Sequence, residues 1–142
     1  MGWESDVATG FAQAIAAAGA GTFDPTGTGG SIVIGPLPPD TSPGVGITTY
    51  RAGADDPKNP TTRLRVQFWL RAPDAATLND LDSAVYDAIQ GLHAVTMGAA
   101  TVSDCGSFAS VPMGIDGNGN LERAAHYLAD LSLPDTALRS YT

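Results

Sequence analysis

The sharpest pattern in the chain runs from Arg63 to Leu92. Leu64, Val66, Phe68 and Leu70 alternate with Arg63, Arg65, Gln67, Trp69 and Arg71. A strand points successive side chains to opposite faces, so the alternation predicts a strand with one apolar face and one basic, aromatic face. Pro73 and Asp74 stop it. Leu78, Leu81, Val85, Ile89 and Leu92 follow at helical spacing, with Asn79, Asp80, Asp82, Asp87 and Gln90 mostly on the other side. This predicts an amphipathic helix over 74–92.

Weaker patterns flank this segment. Ser5 or Asp6 can cap a first helix running to about Ala18, with Val7, Phe11, Ala14, Ile15 and Ala18 as its stripe and Gly19 or Gly21 ending it. Alanine supplies little area, so this helix should lie flat against something larger. Gly27 to Gly30 reads as a link and Ile32 to Ile34 as a short strand. Leu37 to Gly46 is a proline-rich loop, and Gly46 to Arg51 is a strand pairing antiparallel with 63–71. Ala52 to Pro60 is polar and should be an exposed loop. Ala100 to Cys105 and Ser107 to Val111 are β-compatible fragments, and Asp116 to Asn120 is a turn by composition. Leu121 to Leu133 fits two periods: alternation for a strand, and Leu121, Ala124, Ala125, Leu128 and Leu131 for a helix. Intrinsic propensity favours the helix.

At 142 residues the chain is the length of one domain, and its 43% hydrophobic content can fill a core without metal or disulfide staples. Residues 1–4 and 134–142 read as loose ends. Formal net charge is −8, which argues against tight binding to nucleic-acid phosphates. Cys105 is the one cysteine, which excludes an intrachain disulfide and so leaves the redox compartment open, with a slight lean to the cytosol. Phe11 to Ala20 is apolar like part of a signal peptide, but Glu4 and Asp6 precede it and no basic residue does. Met1-Gly2 would suit myristoylation, but Asp6 stands where Ser or Thr is required. No apolar run is long enough to span a bilayer.

Catalytic and ligand-binding patterns are weak. Asp116-Gly-Asn-Gly-Asn opens like a calcium loop, yet the sixth and twelfth places hold Leu121 and Tyr127 instead of Gly and Glu. Gly27-Thr-Gly-Gly30 has no Lys-Ser/Thr and no helix start behind it, so it lacks a phosphate cradle. His93 and His126 have no zinc spacing. Cys105 with a histidine could make a nucleophile pair, although a buried small thiol is the commoner outcome. Asp55-Asp56 lies in a loop and Asp80/Asp82 flank Leu81, so neither forms an acid–base dyad. No residue set points to an enzyme or a cofactor. Arg63, Arg65, Trp69 and Arg71 admit two readings. One is a solvated face whose arginine stems cover the indole; the other is a subunit interface, where Trp and Arg serve as anchors.

Taken in order, an N-terminal amphipathic helix, a strand, a hairpin whose second strand is Arg-Leu-Arg-Val-Gln-Phe-Trp-Leu-Arg, the Leu78–Leu92 helix and two closing strands form a sequence of elements that resembles the tail terminator (minor capsid, or tail completion) proteins of long-tailed, non-contractile bacteriophages. The resemblance spans roughly Asp6 to Leu133 and rests on element order. It implies an α+β fold, an antiparallel (mixed) sheet of about four to five strands packed against two main helices, and therefore a strand at 121–133. It implies a virion structural protein, not an enzyme: a homo-oligomeric ring, a hexamer in that family, on the head-proximal end of the tail tube. Such a ring stops tube polymerisation and offers the surface for head–tail joining. The implied partners are further copies of the chain, the tail tube protein and a head–tail connector; DNA only passes through the lumen and no membrane is involved. The implied location is the virion tail, with the host cytoplasm during assembly. Arg63, Arg65, Trp69 and Arg71, with loop residues Asp55, Asp56 and Lys58, are the candidate interface. A connector or tube protein is the neighbouring alternative, and a small ligand-binding or enzymatic α+β domain is the alternative of another class.

Overall fold

The computed structural model describes residues 2–27, 29–53 and 60–133. In chain order the elements are α1 (Trp3–Ala17), β1 (Ile32–Ile34), β2 (Gly44–Arg51), β3 (Thr61–Ala72), α2 (Ala75–Ile89), β4 (His93–Met97), β5 (Ala100–Ile115) and β6 (Leu121–Ser132). The expected α+β class is observed, with two helices on a mixed sheet. The sheet has six strands, in the order β1-β2-β3-β6-β5-β4. β1 runs parallel to β2, and every other neighbouring pair is antiparallel.

The sixth strand is β4. Its five residues do not alternate, and Ala94 sits at φ 53°, so no period marks it. The two fragments expected at 100–111 form one strand, β5, which continues to Ile115 through register shifts at 102/104, 107/109 and 112/114. The shifts absorb Pro112, which cannot donate to the ladder. Leu121–Ser132 is a strand, as expected; its partners on both sides, β3 and β5, override its helical propensity.

Both helices lie on one face of the sheet and touch each other. The core holds Val7, Phe11 and Ile15 of α1, then Leu78, Leu81, Val85 and Ile89 of α2, against Val45, Ile47, Leu64, Val66, Phe68, Leu70, Val102 and Leu131 of the sheet. Phe11, Phe68 and Tyr127 stack edge-on at 6.2 and 5.4 Å between ring centres. Asp74 caps α2 by accepting from the Thr77 N–H at 2.8 Å, and α2 ends at Ile89, short of the expected Leu92. Neither Ser5 nor Asp6 caps α1: that helix begins three to four residues earlier than such a cap would place it, at Trp3, after an extended Gly2. Trp3 and Glu4 are therefore helical rather than loose, Trp3 packs against the core, and Ala18 is exposed beyond the helix end.

α1 packs against β1 and β2 at one end of the sheet and against β4 and β5 at the other, which requires the sheet to curl around it. Gly10 permits the close approach to β4: a Cβ there would stand 2.7 Å from the Met97 side chain. Among the described residues no helix is long and apolar enough to cross a membrane.

Candidate functional site

The helices leave the second face of the sheet uncovered. The odd-numbered residues of β3 point there, and the register places their neighbours. Arg65 lies between Tyr50 of β2 and Leu128 of β6; Gln67 between Thr48 and His126; Trp69 between Gly46 and Ala124; Arg71 between Gly44 and Glu122. The expected division of β3 into an apolar and a basic face is therefore present, but its arginines have different environments.

Arg63 is exposed and pairs across the strands with Asp130 at 2.9 Å, which raises its pKa through that hydrogen bond and charge. Arg65 lies between two rings, 5.7 Å from the Tyr50 centroid and 4.9 Å from that of Phe108. Phe108 in turn meets the His126 ring at 5.6 Å. The Arg65 Nε and His126 Nδ1 atoms are buried in this layer with no hydrogen-bond partner among the described residues. Trp69 is half-buried, and its indole N–H donates to Glu122 at 2.7 Å.

Arg71 departs from the expectation of an intersubunit surface. It is only 8% exposed and is bound within its own chain. Its guanidinium meets Glu122 at 3.0 Å and Asp116 at 3.3 Å, and donates to the carbonyls of Pro38 and Thr41 at 2.6 and 3.3 Å. The cause lies in β2. A Cβ on Gly46 would strike the Gly35 carbonyl at 2.8 Å, and one on Gly44 would strike Thr41 at 2.8 Å. Two glycines on the open face thus let the 35–43 loop lie directly on β2 and roof Arg71 over. Between this loop and β3 is a cleft of about 340 Å³ lined by Leu37, Thr48, Gln67, Trp69 and Glu122.

Asp116, suspected as the start of a calcium loop, closes the β5–β6 turn instead. It accepts from the N–H groups of Asn118 and Asn120 at 2.9 Å each. Its carboxyl is held below the ordinary range, first by the Asn120 backbone bond and further by Asn118 and Arg71. Asp55, Asp56 and Lys58 lie outside the described residues. Arg123 was not singled out in the sequence; it falls on the helix face of β6, where it pairs with Asp82 at 2.9 Å and Asn79 at 3.0 Å of α2. Tyr50, Phe108 and His126 were also missed as companions of Arg65, because cross-strand register cannot be read from one strand's period.

Cys105 is buried in the core, and desolvation, with a smaller push from Asp130, raises its thiol to about 12. A thiol held protonated at neutral pH is a poor nucleophile. His93 is exposed, 3.5 Å from Asp104. The open face thus combines cations, aromatic rings and half-buried polar atoms, a chemistry suited to docking against another surface.

A solved structure shares this fold. It is a chain of the virion of a native gene transfer agent particle, matched with a TM-score of 0.59 at 14% identity over 70% of this chain and 78% of that one. At such identity the likeness establishes the fold. No family model and no curated protein matches the chain.

Proposed function

We propose that this chain is a virion structural protein: a tail terminator that assembles as a ring on the head-proximal end of a phage tail tube, ends its polymerisation and provides the head–tail joining surface. The observation that carries this reading is the fold shared with a chain of a gene transfer agent virion, in a molecule whose sheet leaves one face free of helices, with the 35–43 loop covering only its β2 end. The order of elements, which resembles that family, supports it independently. Arg63 and Arg65 are the candidate docking cations, with Trp69 beside them as a half-buried apolar anchor and Asp55, Asp56 and Lys58 as loop candidates. Arg71 shapes this face from within. Net charge of −8 suits a lumen through which DNA passes without adhering. The ring would hold the chain in the virion tail, its partners being its own copies, the tube protein and a connector.

The test is to mix the protein with tail tubes and image them by negative stain. Capped tubes of fixed length are expected, and Arg63→Glu with Arg65→Glu should abolish capping in a chain that still melts cooperatively, at a somewhat lower temperature because the Asp130 pair and the ring contacts of Arg65 are lost. Tubes of normal length with the double variant would remove these arginines from the interface, and wild-type protein that never binds tube ends would defeat the terminator reading. A connector or tube protein is the second reading, favoured by the same fold likeness. A tube protein would polymerise by itself, and a connector would bind heads rather than tubes.

A further inference from the structure

The two margins of the sheet are unlike each other and complementary. On one side β4 pairs only with the first part of β5, between Ala100 and Asp104. Just beyond, Gly91 and the Gln90 side chain bond to Cys105 and Ser107. From Phe108 onward no strand among the described residues pairs with that margin. It carries Phe108, Val111, Met113 and Ile115, which are 42–69% exposed, Ile115 the most. On the other side β1 ends in Ile34, 48% exposed, beside a cleft of about 330 Å³ walled by Phe23, Ile32 and Ile34.

Three observations join these two margins. First, both are poor in charge: no residue from Cys105 to Ile115, or from Pro25 to Pro39, is ionisable as an acid or base other than the buried Cys105 thiol, and Asp24 is the one charged residue among the described residues that line the cleft. Two copies of a chain with net charge −8 meet at lowest electrostatic cost through such segments. Second, they lie at one level. Ile32 and Ile34 connect, through the registers of β2, β3 and β6, to Pro112 and Ser110 of β5. Third, the directions agree. β1 and β2 run one way, β3 the other, β6 back and β5 opposite again, so β1 of a neighbouring copy set beside β5 would run antiparallel to it.

We infer that the β5 margin of one copy docks on the β1 margin of the next, seating Met113 and Ile115 in the cleft beside Ile34. The contact joins different patches of the same chain, so its repetition closes a ring or runs on as a filament. The choice of this contact over a two-fold β5–β5 contact rests on the ring proposed above. Because Ile32 is already bridged to Phe23, side-chain packing rather than a long backbone ladder holds the contact.

The test uses the full chain carrying Ile34→Cys or Met113→Cys and a short bismaleimide, with wild type as the control for Cys105, whose buried, protonated thiol should not react. A cross-linked dimer is expected in the mixture of the two variants but in neither alone, and the doubly substituted chain should give a ladder of multimers. Ile115→Glu in that double variant should erase the ladder without shifting the melt. A mixture no more cross-linked than wild type overturns the inference, as does Met113→Cys alone dimerising as well as the mixture. Tube capping without cross-linking would leave the terminator reading standing and remove this contact; cross-linking without capping would do the reverse.

Discussion

Arg71 gathers four acceptors from three parts of the chain: Glu122, Asp116 and the carbonyls of Pro38 and Thr41. Arg71→Ala would leave Glu122, itself 13% exposed, without its cation, and loss of one partner from such a pair costs about 3 kcal/mol. A denaturant melt should show that loss, whereas Arg63→Ala, at an exposed and solvent-screened pair, should barely move the midpoint. Equal losses would mean that the 35–43 loop does not roof Arg71. The carboxyls of Asp116 and Asp74 both lie below their ordinary value, each led by a backbone hydrogen bond, from Asn120 and Thr77 respectively. A depressed carboxylate stabilises the fold above its unfolded pKa, near 4, and that contribution fades as pH falls through the folded value. The melting temperature should therefore fall below about pH 4, and Asp74→Asn with Asp116→Asn should flatten that fall. An acid limb unchanged in the double variant would place the titrating groups elsewhere. Cys105 acts in the opposite direction: with its thiol raised to about 12, the unfolded chain ionises first, so alkaline pH weakens the fold. Alkylation at mildly basic pH should be slow until the protein unfolds, and a thiol that reacts at once would contradict its burial.

Among the elements, α2 and β3 were legible because burial writes their periods directly: Leu64, Val66, Phe68 and Leu70 are all fully buried, as are Val85 and Ile89. Leu81 sits in that row, 7% exposed, so Leu81→Asp should cost more than about 3 kcal/mol and leave little soluble protein. A soluble variant with an unchanged melt would refute the packing of α2. Elements held by neighbours rather than by their own period were harder to read. β4 has no alternation, and β5 needs its register shifts to continue past Gly106 and Pro112. The 121–132 segment is a strand because two strands flank it, which no local propensity records. The candidate site was half legible for the same reason. The Arg63/Arg65/Trp69 face was visible in one strand, whereas the ring layer around Arg65 depends on β2, β5 and β6. Arg71 misled because its burial comes from a loop made possible by Gly44 and Gly46, whose meaning appears only once the loop folds back.

At the scale of the whole molecule, one face of the sheet is closed by helices and the other is covered only by the 35–43 loop, while its two margins bear apolar patches poor in charge. An acidic chain of this kind should not retain duplex DNA at physiological salt, and a gel shift that weakens with added salt would show an unexpected basic surface. The curl of the sheet has one more consequence. β1 and β4 do not touch, yet α1 leans on both, with Gly10 as its point of nearest approach to Met97. The helix is in effect a single brace between two distant rims. Gly10→Val should push that brace outward, and amide exchange should then quicken at both rims together, although only one of them faces the altered residue.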